Sequence, residues 1–310
     1  MTLARLAWFT LGWNVLVILW GAVVRATGSG AGCGAHWPTC NGEVIPPSPT
    51  VATLIEFSHR ATSGVALLLV AALLYRVWRT LASRHLARFW AAASMLLILS
   101  EAAIGAGLVL FQRVADDTST SRGYWISGHL INTFLLLAAL VLTARFVSAP
   151  RWAPAPGFAH ALGATFSGLA RGWPAILAVA ALLATGISGA IAALGDTLFK
   201  ATSLGEAIAQ DFSPESHIFL RLRILHPFIA VIGGGLILLL GYRMVVRNQV
   251  NPPVRRRGQW LAGLVIAQWF LGLVNLVLLA PTWLQIVHLL VADLIWMTLI
   301  LALADEAGPT

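Results

Sequence analysis

Charge is scarce in this 310-residue chain: Asp, Glu, Lys and Arg make up 10 % of it, against 58 % apolar residues and a mean hydropathy of +0.82. Soluble globular domains carry about a quarter charged residues, so that class is excluded. Cysteine is nearly absent too, since Cys33 and Cys40 are the only two, and a cysteine-based metal site is weak without further ligands. Acidic residues number 12 against 20 basic ones, for a net charge of +8. The surplus does not read as nucleic-acid binding, because the basic residues flank apolar stretches and form no single surface.

What the chain has instead is long apolar runs. A helix needs about 20 apolar residues to cross the hydrocarbon of a bilayer. Eight stretches qualify, roughly 5–25, 54–78, 88–111, 125–147, 172–194, 219–244, 257–280 and 283–304. If alternate ends face opposite sides, the side of the amino terminus collects 13 of the 20 Lys and Arg, and the other side 7. Positive-inside bias then puts both termini in the cytoplasm of a multi-pass protein of the plasma (inner) membrane. The first span has the look of a cleaved signal sequence, but an internal counterpart argues that it stays. Gly21-Ala22-Val23 matches Gly189-Ala190-Ile191 at an offset of 168 residues, and His59 matches His226 at 167. Glu101 and Gly105 match Gln268 and Gly272 at 167, and His129 matches His288 at 159. The last offset is shorter because the first half has a long loop from Gln112 to Trp125.

The predicted fold is therefore all-α, an integral membrane protein of eight transmembrane helices in two pseudo-symmetric four-helix bundles. The halves are residues 1–147 and 172–310, joined by a Pro-, Ala- and Gly-rich cytoplasmic linker over 148–171.

His59, His129, His226 and His288 fall within the first few residues of the second, fourth, sixth and eighth spans, which all enter from the outer side. Histidines inside membrane helices are costly and usually functional. Two pairs at one depth read as axial ligands for haem-like macrocycles, one clamped in each half between its second and fourth helices. A zinc or non-haem iron site would need added carboxylates or thiolates. His36, His85, His160 and His217 sit in loops and carry no such reading.

The halves differ beside these ligands. Glu56 lies one turn before His59, whereas Arg223 stands at the equivalent place before His226. The carboxylate suits a reacting site. The guanidinium, with Arg221, suits the propionates of a permanently bound haem. The structural alternatives are that Glu56 caps the second helix or pairs with Arg60, and that Arg223 is an interfacial anchor. Glu101, matched by the neutral Gln268, reads as a structural polar contact, and Asp293 as facing another helix surface. Cys33 and Cys40, in an outer loop on the oxidising side, read as a disulfide, with two free thiols as the alternative. The loop, residues 26–53, reads as a lid over the first half's pocket.

At these residues the chain resembles the haem A synthase family, which converts haem O to haem A for cytochrome oxidase. The resemblance covers nearly the whole chain. It rests on Arg25-Ala26-Thr27-Gly28-Ser29-Gly30 with Gly32-Cys33, Trp37-Pro38 and Cys40, on Glu56-Phe57-Ser58-His59-Arg60, on Leu225-His226-Pro227, and on Val287-His288-Leu289-Leu290. Glu101 departs from the family's pattern, where an amide like Gln268 is expected. The resemblance implies a membrane oxidoreductase acting on the C8 methyl of haem O, through two hydroxylations and loss of water to a formyl group. It implies a substrate site with Glu56 as the catalytic residue, His59 and His129 on the haem O iron, and Arg25 beside that haem. It implies a cofactor site in which His226 and His288 hold the iron of haem b, with Arg223 nearby. Expected partners are haem O, a haem O synthase, an electron acceptor, membrane lipid and a second copy of the chain, but no nucleic acid. The rivals are a dihaem electron-transfer cytochrome and a haem transporter, neither of which does chemistry on haem.

Overall fold

The computed structural model describes residues 1–148, 163, 165, 173–248 and 251–307. Its elements are α1 (Leu3–Ala26), a 3-10 turn (Ser29–Ala31), α2 (Val51–Thr80), α3 (Leu86–Leu110), α4 (Thr120–Ser148), α5 (Trp173–Leu198), α6 (Leu204–Phe212), α7 (Ile218–Arg223), α8 (Leu225–Arg247), α9 (Pro252–Val277) and α10 (Thr282–Ala307). No strand forms among the described residues, only an isolated bridge between Cys40 and Glu43. Eight helices, counting Ile218–Arg247 as one, are long and apolar enough to cross a membrane. The chain is a multi-pass membrane protein. The expected linker lies outside the described residues, save for Ser148, Gly163 and Thr165.

Most helices extend past the purely apolar stretch because polar residues continue or cap them. Thr2 and Thr50 cap α1 and α2, each side chain accepting a backbone N–H three residues on. Glu56 therefore does not cap the second helix, because Thr50 does. The fourth helix starts at Thr120, not 125, because buried Arg122 turns back and donates to the carbonyl oxygens of Ala115 and Asp117. The sixth span, expected as one helix, breaks at Ile224. Pro227 explains the break: it has no N–H to donate, and its ring would crowd the carbonyl of Arg223.

In the first half α1 packs on α2, α2 on α3, α3 on α4 and α4 on α1. In the second, α5 packs on α8, α8 on α9, α9 on α10 and α10 on α5. The two rings meet where α4 contacts α5 and α10, and α1 contacts α10. Consequently α4 is the axis of the molecule, with 72 % of its most apolar window buried against 44 % for α10 and 11 % for α9. Lipid supplies no hydrophobic drive between helices, so packing and polar contacts hold the junction. Phe134 stacks on Trp296 at 5.1 Å, and the Trp296 indole N–H donates to the Phe134 carbonyl at 2.6 Å. At the opposite end from the histidines, Asp305 accepts from Arg145 (2.8 Å) and Arg257 (2.6 Å), tying α4, α9 and α10 together. Helices α8 and α9 touch at Gly241 and Gly258; a Cβ on either would lie 2.9 or 2.6 Å from the other's carbonyl oxygen.

Candidate functional site

Helix extension sets His59 and His129 deeper than the sequence suggested. Counted from the span starts, His59 is ninth from Val51, His129 tenth from Thr120, His226 ninth from Ile218 and His288 seventh from Thr282. At 1.5 Å per residue His59, His129 and His288 lie about 9–14 Å along their helices, whereas the break at Ile224 makes His226 the second residue of α8. His59 and His129 lie within electrostatic reach of each other, as do His226 and His288.

Each ring lies against a glycine of the preceding membrane span. A Cβ on Gly21 would lie 3.0 Å from Cε1 of His59, and one on Gly189 2.9 Å from Cε1 of His226. The corresponding distances are 4.0 Å for Gly105 and His129, and 3.3 Å for Gly272 and His288. These are the glycines that recur between the halves in the sequence, and the reason for three of them is steric: a side chain would crowd the imidazole. The second nitrogens are treated unequally. Nδ1 of His226 lies 3.0 Å from Oγ of Ser188, and Nδ1 of His129 lies 3.4 Å from Oε1 of Glu101. Among the described residues, Nδ1 of His59, of His129 and of His288 is buried without a hydrogen-bond partner, the 3.4 Å contact of His129 with Glu101 being an ion-pair distance only.

Glu56 is 3 % exposed and lies under the outer loop. Its Oε2 accepts the backbone N–H of Cys33 at 2.8 Å, and its Oε1 pairs with Arg60. Arg60 also donates to the carbonyls of His36 and Thr39, both at 2.7 Å. Cys33 and Cys40 form a disulfide, with their Cα atoms 4.4 Å apart. Thr53 donates to the Gly32 carbonyl at 2.8 Å, so α2 holds the loop at several points. A cavity of about 290 Å³ lies beside this loop, lined by Ala31, Gly34, Val109, Gln112 and Asp117 among others.

Two arginines have partners that sequence reasoning did not foresee. Arg223 is held by Asp196 and Asp211, each at 2.7 Å, and donates to the Ala207 carbonyl; Arg221 is exposed. Arg25 crosses between the halves, donating to the Ala193 carbonyl (2.8 Å), to Thr197 (3.0 Å) and to Gln285 (2.8 Å), which stands one turn before His288. Helix α6 was also unforeseen. Its signal is legible, since Ser203 accepts the N–H of Glu206 while the Glu206 side chain reaches back to Thr202, a capping arrangement readable from Ser203-Leu-Gly-Glu206. The loop histidines have plain roles: His85 caps α3, and His217 caps α7. His160 lies outside the described residues. Glu101 makes the polar contact expected of it, accepting from Asn132 and Thr133. Asp293 is fully buried, and neither of its oxygens has a hydrogen-bond partner among the described residues.

No group of three or more His, Cys, Asp or Glu able to hold a bare ion occurs among the described residues. Paired imidazoles, each seated on a glycine, suit an iron whose other ligands come from a macrocycle. Residues 4–300 match the model of the COX15-CtaA family, described as cytochrome oxidase assembly protein. The chain belongs to this family, that of the haem A synthases. A protoheme IX farnesyltransferase of Thermus thermophilus is 50 % identical over 295 residues, covering 95 % of this chain and 47 % of that protein. The heme A synthase of Alkalihalophilus pseudofirmus is 43 % identical over 97 residues, 31 % of this chain and 33 % of that protein. That of an Exiguobacterium species is 41 % identical over 143 residues, 44 % and 46 % respectively. The chain spans about half the length, or less, of these curated relatives.

Proposed function

We propose that the chain is a haem A synthase, oxidising the C8 methyl of haem O to a formyl group at a site in residues 1–147, with haem b held in residues 172–310. The observation that carries this reading is the asymmetry around a repeated frame. All four histidines sit against glycines of the preceding spans, yet an acid lies one turn before the histidine in the first half only. An electron carrier with two equivalent haems has no use for that difference. Two hydroxylations, each a two-electron oxidation that takes its oxygen from water and releases two protons, convert the methyl to a hydroxymethyl and then to a geminal diol, which loses water. The electrons leave to an acceptor.

His59 and His129 hold the haem O iron, which fixes the macrocycle beneath the disulfide-bonded loop. Glu56 acts on the substrate methyl. Both its oxygens already accept hydrogen bonds, which favours stabilising positive charge on the methyl carbon or taking a proton from water over nucleophilic attack. The loop pinned to Glu56 excludes bulk water. Where it binds, haem b supplies one-electron transfer. His226 and His288 are its ligands, with Ser188 orienting His226. Arg223, already held by two carboxylates, steadies the rim of that site and does not meet a propionate alone. Arg25 spans both sites.

The repeated contacts support two pseudo-symmetric halves, and the 13 to 7 distribution of basic residues supports cytoplasmic termini in the inner membrane, with both sites near the outer face. The Thermus relative's name supports a haem O-forming farnesyltransferase as the partner that supplies substrate. The test is extraction and chromatography of the bound haems after co-expression with a haem O source. Haem b together with haem O and haem A is expected. Folded protein that holds haem O and accumulates no haem A overturns the function.

A further inference from the structure

We propose that Glu101 is a positioning residue for the first half's site, one that makes His129 a stronger donor than its counterpart His288. The inference rests on the reading of His129 as a haem ligand, and goes beyond it in separating the two sites electronically. Glu101 lies on α3 one turn before Gly105, so α3 presents the carboxylate and the gap together to one imidazole. Its oxygens accept from Asn132 and Thr133, residues three and four after His129 on α4. These bonds fix the carboxylate with Oε1 3.4 Å from Nδ1 of His129.

That separation is within ion-pair range and longer than a well-formed hydrogen bond. When Nε2 of His129 binds iron, the neutral ring carries its proton on Nδ1, facing the carboxylate. The contact then becomes an N–H donor to an anion, the arrangement that raises the basicity of a ligating histidine.

In the second half Gln268 takes the equivalent place and does something else. Its amide N–H donates to the His288 backbone carbonyl at 3.1 Å; among the described residues Nδ1 of neither His288 nor His129 has a hydrogen-bond partner, but of the two only that of His129 has a carboxylate within ion-pair range. A carboxylate cannot make that donation, so the exchange of amide for acid redirects the contact from the helix backbone to the ring. A more basic axial ligand favours ferric over ferrous iron. The first half's haem is thus held at a lower potential than its ligands alone would set, while the second half's haem is untouched.

The experiment is a redox titration of the full chain, purified after co-expression with a haem O source, following the haem O and haem b absorptions separately in Glu101 protein and in Glu101→Gln. The midpoint potential of bound haem O is expected to rise while that of haem b stays in place. Equal shifts at both haems, or none at either, overturn the inference, since a merely structural contact would not move one potential alone. Should Glu101→Gln fail to fold, Glu101→Asp keeps the charge on a shorter arm and is expected to give a smaller rise at haem O; an unchanged potential there is equally fatal. If unaltered protein binds no haem O, the proposed function falls together with this inference. Bound haem O with an unmoved potential removes the inference alone.

Discussion

The two halves share a frame and differ in what closes its outer end. In the first, the segment between α1 and α2 is cross-linked by Cys33–Cys40 and pinned through the Cys33 N–H and Arg60 to Glu56. In the second, the segment between α5 and α7 forms the short helix α6, and Asp196 and Asp211 neutralise Arg223. The histidines and their glycines recur, so on the proposed function they would let each half hold a macrocycle and say nothing about which one reacts. The difference lies in polar groups. The first half sets one carboxylate, Glu56, beside its histidine, paired with Arg60 and covered by a cross-linked loop, whereas the second sets an arginine there, held by two carboxylates from neighbouring segments. On the proposed function, asymmetry laid over a repeated scaffold would separate a site that turns over from one that stays filled.

The largest expected effect separates the pairs outright. His226→Ala removes one axial bond in the second half and should abolish the low-spin haem b spectrum, leaving haem O binding to His59 and His129 measurable in the same preparation. An unchanged haem b spectrum would remove His226 from the ligand set. Next in size is Glu56→Gln, which keeps the shape and loses the charge. Conversion should fall by about 10²–10⁴, the usual worth of general acid or base help, with haem b retained and haem O or its hydroxymethyl form accumulating. Near-normal haem A formation would leave Glu56 as an anchor for the loop, a role its bonds to Cys33 and Arg60 already give it.

The disulfide gives a smaller effect. On the chain-entropy model, closing so short a loop is worth about 2.5 kcal/mol. Cys33→Ser should loosen the cover on Glu56 and lower activity several-fold, without unfolding helices that the bilayer and their own packing hold. Equal activity and equal protease resistance of the loop in both proteins would show that the hydrogen bonds to α2 suffice.

These contrasts were unequally legible in the sequence. The eight spans, the histidine pairs and the matched glycines could be read because a membrane imposes a length on each helix and a repeat exposes its own register. The depths of His59 and His129 in their helices were read short by about one turn and about one and a half turns, because Thr50 and Arg122 extend helices through polar residues that a hydropathy reading discards. The break at Ile224 was readable from Pro227. The partners of Arg223 and Arg25 were not, since Asp196, Asp211 and Gln285 are distant in sequence and only packing brings them together. Glu101 shows the limit best: the sequence marked a polar contact, but that its carboxylate faces the His129 ring while the Gln268 amide meets the His288 backbone carbonyl is visible only in the packed helices.

The smallest effect tests the loop that only the first half has. Between α3 and α4, Asp117 accepts the Ser119 N–H at 3.0 Å and the Ser119 hydroxyl at 2.8 Å, with Arg113 at 3.5 Å. Burial works to raise its pKa, but these donors and the Arg113 charge outweigh it and leave the pKa below the ordinary 3.8. A depressed folded-state value means the stabilisation is fully present above the unfolded pKa and is lost as pH falls through the folded one. The loop should therefore hold at neutral pH and open in acid below about pH 4, by an amount on the order of 0.2–1 kcal/mol for a partly exposed cluster. Arg122, which donates to the Asp117 carbonyl, would carry the loosening into the first turn of α4. Hydrogen-exchange protection at Ser119 and Arg122, corrected for the intrinsic rate, should drop on acidification, while the turn from Leu278 to Pro281 in the second half, which has no acid, should not respond. Asp117→Asn should lower protection at pH 7 and remove its pH dependence. Parallel acid responses in both turns would assign the change to the whole protein and dismiss Asp117 as its cause.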